Sequence, residues 1–497
     1  MSACSFARRL MLIFAAPFLL NCGGGGSGGS GGSGGASNQN EPVPTSSASS
    51  DTLAPQVTLT TPANLAAELT GALVLSAVAS DNISVTQVEF EVDGLGAGTD
   101  DTAPFSASVN TADYAAGQHV VRARAQDAAG NLSAWSAATV KFGGSASVPA
   151  GFTKNERFIT GLSRATALAQ APDGRLFIAE QGGAVRVFRA GELQPQPFVQ
   201  LAVDASGERG LIGITLHPDF PATPFVFVHY TVPAGAAGAT HNRISRFTAQ
   251  GDQAMTSSES VLVELPPLST ATNHNGGALH FGTDGKLYVG VGENADPGKS
   301  QDLSSPLGKL LRLNSDGSIP EDNPFFANQQ GLARAVWVYG LRNPFSFAVD
   351  PASGRLYIND AGANTWEEIN AARAGANFGW PGSEGPDNVG AGIAAPLFAY
   401  RHSDAAPPGS GPGGFFTGFA IAGGTFYPAA GPYPAPYRSN YFFADFGRRF
   451  IGRLDPVNGN AAYAFASISD APVDMLVGID GALLVLGRAG VTRISSP

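Results

Sequence analysis

Four constellations gather the residue types able to do chemistry: Gly207-Glu208-Arg209-Gly210-Leu211, Asn273-His274-Asn275-Gly276-Gly277, Gly340-Leu341-Arg342-Asn343-Pro344, and the stretch from Asp360 to Asn370 followed by Ala376-Asn377-Phe378-Gly379-Trp380-Pro381. An imidazole titrating near neutrality can take a proton from a hydroxyl, so His274 is suited to act as a general base. The structural alternative is a loop histidine bonded to a neighbouring carbonyl. Gly276 and Gly277 beside it would let backbone come close to a flat ligand. The guanidinium of Arg342 can hold an oxygen-rich group bidentately and stabilise an anion developing on it, or it can form a salt bridge at a sheet edge. Glu208 either faces a substrate or pairs with Arg209. The remaining histidines, His119, His217, His229, His241, His280 and His402, read as structural, His217 as a turn residue.

Such side chains need rigid elements to hold them, and composition says which. Only 14% of the 497 residues are charged, and the chain holds 64 Gly and 35 Pro. Few charges and many helix breakers argue against a helical bundle and for turn-rich β structure. A degenerate repeat begins after residue 151. Pro172-Asp173-Gly174-Arg175-Leu176-Phe177-Ile178 leads to Val185-Arg186-Val187-Phe188, and Asp284-Gly285-Lys286-Leu287-Tyr288-Val289 to Leu310-Leu311-Arg312-Leu313. Ser353-Gly354-Arg355-Leu356-Tyr357-Ile358 and Asp480-Gly481-Ala482-Leu483-Leu484-Val485 repeat the pattern, with weaker copies at His217-Pro218-Asp219-Phe220 and Tyr441-Phe442-Phe443. Six copies predict a six-bladed β-propeller over 151–497, whose loops around a central channel would carry the four constellations. Short alternating runs over 54–143, among them Val88-Glu89-Phe90-Glu91-Val92 and His119-Val120-Val121-Arg122-Ala123, predict an immunoglobulin-like β-sandwich. Its stretches Ala79-Ser80-Asp81-Asn82 and Asp127-Ala128-Ala129-Gly130-Asn131 resemble those of bacterial immunoglobulin-like domains. Such loops make Asx turns or coordinate calcium, and the Asx turn is the preferred reading. The predicted fold class is all-β throughout.

The net charge of −11, with no basic cluster, speaks against nucleic acid as a partner. Arg8 and Arg9 precede an apolar run from Leu10 to Leu20, and Leu19-Leu20-Asn21-Cys22 resembles a bacterial lipobox. This predicts a lipoprotein-type signal peptide over 1–22, acylation at Cys22 and a Gly/Ser-rich flexible linker over 23–53. The expected location is the cell envelope, on the periplasmic or surface side, lipid-anchored to the outer membrane and touching it only through that anchor.

From about residue 151 onward the constellations, together with His217-Pro218-Asp219-Phe220 and Leu307-Gly308-Lys309-Leu310-Leu311-Arg312, resemble the glucose/sorbosone dehydrogenase family. The resemblance implies a six-bladed propeller with pyrroloquinoline quinone (PQQ) and calcium as cofactors. It also implies oxidation of the anomeric hydroxyl of an aldose or related sugar to a lactone, with hydride transfer to PQQ and an electron acceptor that the sequence leaves unknown. By the same resemblance His274 and Arg342 are catalytic, and Asn343, Glu208 and Asn273 lie at the cofactor. One calcium would be held by the Gly362 and Ala363 carbonyls and a second by Glu368, the Phe378 carbonyl and Asp387, both hard-oxygen sets. There are two departures. Asp470-Ala471-Pro472-Val473-Asp474 stands where the best-known glucose dehydrogenases place two arginines on the cofactor's carboxylates, and no lysine follows Lys309, although they use one from the fifth blade. Arg401, Arg448 and Arg449 are the candidate replacements. The departures leave a second expectation, a non-catalytic calcium-binding propeller acting as a surface carbohydrate- or protein-binding module. A propeller lactonase would need a carboxylate-rich metal centre in the channel, and none is evident.

Overall fold

The computed structural model describes residues 51–496 other than 65–67, 115, 144–146, 237, 388 and 403–415, with 116–118 described by backbone alone. The signal peptide, Cys22 and the linker up to residue 50 lie outside the described residues.

In the first domain, period-two alternation turns Val88, Phe90 and Val92 inward. Two antiparallel sheets pack over that row. One pairs Gln56–Thr61, Ala72–Ser80 and Phe105–Asn110; the other orders Leu95–Asp100, Val85–Val92, Ala116–Asp127 and Ser136–Gly143. Leu75, Val121, Val140 and Phe142 complete the core between them. The strand Leu95–Asp100 was not among the predicted runs, because Leu-Gly-Ala-Gly-Thr-Asp carries no apolar period; its pairing with Val85–Val92 forms it.

The second domain is six antiparallel sheets, the blades of the expected propeller. Their inner strands are Ala165–Gln170, Leu211–Leu216, Leu279–Phe281, Pro344–Val349, Ile421–Phe426 and Pro472–Val477. The predicted Asp-Gly and Ser-Gly turns each join an inner strand to the next strand out. Those second strands, such as Leu287–Val291, Leu356–Asp360 and Leu483–Gly487, are wholly buried, which is why their sequences run apolar without alternation. Blade 6 takes its outer strand from the start of the domain: Thr153–Thr160 pairs with Gly490–Ser495 and closes the ring.

Antiparallel pairing puts the start of each inner strand beside the end of the second strand; in blade 4 Pro344 lies opposite Asp360. All four constellations therefore emerge at one end of the propeller, away from the Asp-Gly turns.

The two domains touch on blade 5. Arg453, 1% exposed, donates from Nη2 to the Asp93 carbonyl of the first domain. Its guanidinium lies over Tyr463 at 4.4 Å and Tyr437 at 4.8 Å, and Nη1 donates to Asn440 Oδ1 at 2.6 Å. Asp93 in turn holds His119 Nδ1 at 2.6 Å.

Candidate active site

His274 precedes the inner strand of blade 3 and is 8% exposed. Its Nδ1 lies 2.6 Å from Glu293 Oε1, its Nε2 lies 3.0 Å from Asn273 Nδ2, and its backbone N–H donates to Glu208 Oε2 at 2.8 Å. A carboxylate at Nδ1 fixes the proton there, and an amide donor at Nε2 fixes the lone pair there. The nitrogen facing Asn273 is thus the basic one. Glu293, 1% exposed, keeps its second oxygen without a hydrogen-bond partner among the described residues.

Asn343 ties this group to blade 4. Its Oδ1 accepts from Gly276 N–H at 2.9 Å, its Nδ2 lies 3.5 Å from Glu208 Oε2, and its own N–H donates to Asp360 Oδ1 at 2.7 Å. Arg342 N–H donates to Asp360 Oδ2 at 2.9 Å, and burial pushes that carboxyl up to about 7. The Arg342 guanidinium donates from Nη1 to Ala361 O at 2.9 Å and lies 5.6 Å from the Trp380 ring, with no carboxylate within 4 Å among the described residues. It is a half-buried cation left available to an oxygen-rich ligand. Glu208 does not pair with Arg209, which instead holds Asp204 at 2.8 Å. The structure brings His274, Asn273, Glu208, Arg342 and Asn343 together.

The glycine expectation is corrected. A Cβ on Gly276 would lie 2.6 Å from Gly290 O, and one on Gly277 would lie 2.7 Å from Ile212 O. These glycines admit neighbouring strands of the protein, not a flat ligand.

The stretch expected to hold calcium folds around acids. Glu368 sits opposite Asp360 in blade 4 and is pushed up to about 8, chiefly by burial and then by the Asp360 charge. Its Oε1 accepts from Gly385 N–H at 2.5 Å and its Oε2 from Asn370 Nδ2 at 2.9 Å, while Asn370 Oδ1 is buried without a partner. Glu384 Oε1 gathers the N–H groups of Ala363, Asn364, Thr365 and Trp366 at 2.8–3.2 Å. The Gly362, Ala363 and Phe378 carbonyls accept no hydrogen bond among the described residues. Uncompensated buried carboxylates, an orphaned amide oxygen and free carbonyls fit a hard divalent cation. Asp387 stands apart from Glu368, exposed and 3.5 Å from Arg401.

The departures also have positions. Asp474 lies in the channel with Oδ2 accepting from Leu168 N–H at 3.0 Å, and burial pushes it up to about 7. Lys309 is fully buried on three carbonyls, and burial pushes its amine down to about 7, so it is structural. Arg401 stacks on Trp366 at 4.3 Å, Arg449 donates to Ser469 O, and Arg448 lies over Phe419.

Sequence reasoning missed Glu293, Glu367, Glu384 and Gln181. Buried Glu367 holds His402 Nε2 at 2.6 Å and the Ile421 N–H at 2.9 Å, so His402 belongs to the loop network of this mouth rather than to a core. Gln181 directly follows the second strand of blade 1 and Glu293 follows that of blade 3 with one residue between, and that position was the available signal.

A family model described as Glucose / Sorbosone dehydrogenase matches residues 162–491. The chain belongs to the glucose/sorbosone dehydrogenase family. A bacterial Ig domain model matches residues 55–123. Among relatives of this family member, the aldose sugar dehydrogenase YliI of Escherichia coli K12 is 35% identical over 257 residues, 48% of this chain and 68% of that one. Quinoprotein glucose dehydrogenase B of Acinetobacter calcoaceticus is 30% identical over 47% of this chain and 54% of its own length. The apo-form crystal structure of the soluble aldose sugar dehydrogenase of E. coli superposes with a TM-score of 0.59 at 27% identity, covering 70% of this chain and all of that one.

Proposed function

We propose that this family member is a quinoprotein dehydrogenase that oxidises the anomeric hydroxyl of an aldose or a related sugar to the lactone, with PQQ and calcium as cofactors. The observation that carries the reading is the His274–Glu293 pair, whose geometry turns the Nε2 lone pair toward Asn273 at the mouth, beside an Arg342 guanidinium with no carboxylate within 4 Å among the described residues. PQQ, when bound, supplies the hydride acceptor. His274 Nε2 takes the hydroxyl proton, and Glu293 stabilises the imidazolium that results. Arg342 and Asn343 would hold oxygens of the cofactor, and Asn273 orients the ring of His274. Glu208, whose Oε2 accepts from the His274 N–H and faces the Asn343 Nδ2 amide, has its other oxygen for a sugar hydroxyl. Glu368, the orphaned Asn370 oxygen and the Gly362, Ala363 and Phe378 carbonyls are the calcium donors, with Asp387 brought in only if it leaves Arg401. The sequence pattern at Cys22 supports export and a lipid anchor in the cell envelope, with a sugar as substrate and the natural electron acceptor still to be identified.

Calorimetric titration of PQQ into the apo-chain with calcium present, followed by dye reduction on a panel of aldoses, tests this. Uptake and sugar-dependent reduction are expected. No heat at PQQ concentrations of roughly 100 μM, where an affinity of about −5.5 kcal/mol would register, would overturn it in favour of the calcium-binding module, which the aspartates at 470 and 474 favour.

A further inference from the structure

Two arginines outside the mechanism above meet at the seam where the propeller closes. Arg488 occupies the turn between Leu483–Gly487 and Gly490–Ser495 of blade 6, and Arg164 immediately precedes the inner strand Ala165–Gln170 of blade 1. Both positions are at the end of the propeller that carries His274. Arg488 is half-buried; its Nη1 donates to Ala165 O at 2.9 Å and its Nη2 to Gln181 Oε1 at 2.5 Å. The Gln181 N–H donates to Arg164 O at 3.0 Å, so one glutamine holds both residues. The turn is braced by Asp470, whose Oδ2 accepts from Ala489 N–H at 2.7 Å. That bond, with another from Ala471 N–H, occupies the acid nearest the pair. No carboxylate lies within 4 Å of either guanidinium among the described residues. Burial, and after it the charge of Arg164, lowers the Arg488 pKa, and the charge of Asp470 offsets this only in part.

The pair is wired to the base. Gln181 Nε2 donates to Gly207 O and Arg209 O, each at 2.7 Å, and these carbonyls flank Glu208, which accepts the His274 N–H.

We propose that Arg164 and Arg488 form the anion subsite of this mouth and take carboxylates of PQQ, replacing the cations missing from 470–474. The assignment rests on the dehydrogenase reading. A tricarboxylate needs charge-assisted partners, and a planar fork already oriented by one bond from each terminal nitrogen, to Ala165 O and Gln181 Oε1, loses little freedom when its remaining N–H groups bind one. Arg401, Arg448 and Arg449 are turned to other partners, so the replacement has moved across the blade junction.

The test is calorimetric titration, with calcium present, of PQQ and of its trimethyl ester, which keeps the quinone and lacks the carboxylates. The wild-type chain is titrated first. Arg164→Ala and Arg488→Met should each weaken PQQ about 10-fold and together about 100-fold, at about 1.4 kcal/mol per decade, while the ester binds wild type and double variant alike. Equal PQQ affinity in wild type and double variant overturns the subsite and leaves the dehydrogenase reading standing. A wild-type chain that takes up no PQQ overturns both. Should Arg488→Met fail to fold, exposed Arg164→Ala decides the matter with Arg488→Lys, which keeps charge but loses the fork.

Discussion

Glu293 is enclosed with one oxygen on His274 and the other unpartnered, so its charge has no outlet except the imidazole. His274→Ala should lose roughly 10² to 10⁴ in kcat, the range for a positioned general base. Glu293→Gln should lose on the order of 10², because an amide accepts the Nδ1 proton but stabilises an imidazolium poorly. Steady-state kinetics of the PQQ-loaded chain check both. The drop should fall on kcat with KM for the sugar unchanged, whereas parallel loss of folding or PQQ affinity would return both residues to a bracing role. His274, Arg342, Asn343 and Glu208 were legible in the sequence because each stands in a short polar motif between apolar strands. Glu293 was not: Gly292-Glu293-Asn294 carries no mark until Leu287–Val291 is known to end beside the loop that starts the inner strand. The proposed calcium donors were legible as a stretch but not as a set, since Asn370 enters only through the register that places it two residues along from Glu368 on the same strand face.

Among the elements, the blade hairpins could be read directly, because a buried second strand with a Gly turn before it repeats with little ambiguity. The closing strand Thr153–Thr160 could not be read: Thr-Lys-Asn-Glu-Arg-Phe-Ile-Thr is polar for most of its length and gains its partner only when the ring is complete. The glycines of blade 3 show how a local rule misleads. Gly276 has a φ of +68° and meets the backbone of the next strand out, so its smallness serves sheet packing and only indirectly the site. Gly276→Ala is expected to destabilise the propeller by at least about 1–3 kcal/mol, combining left-handed strain with a contact that backbone cannot relieve. Urea unfolding would show it as a lowered midpoint with unchanged slope; an unchanged midpoint would refute the packing account.

For the whole molecule, pH acts through the channel. Asp474 is raised to about 7 by burial, above an unfolded value of about 3.9. The folded state therefore holds a proton that the unfolded chain has released, so this stabilisation is complete below about pH 4 and is lost as pH rises through 7, at about 1.4 kcal/mol per unit. Asp474→Asn should remove that slope, and denaturation at pH 5 and pH 8 would reveal it; parallel wild-type and variant curves would refute it. The contact at Arg453 makes a further prediction. Residues 54–143 and 151–497 each have a separate core and should fold when expressed alone, and the two pieces should associate when mixed, as judged by size-exclusion chromatography, with Arg453→Ala abolishing the association. Failure of either piece to fold would refute the division. The strand that seals blade 6 also sets a timetable. Its partner, Gly490–Ser495, comes after every other blade strand in the chain, and Arg488 sits two residues ahead of it. Until then the nascent chain is an open arc with an unpaired edge at each end and no mouth. Any cofactor that needs a closed mouth must consequently be loaded after Gly490–Ser495 has been made and paired.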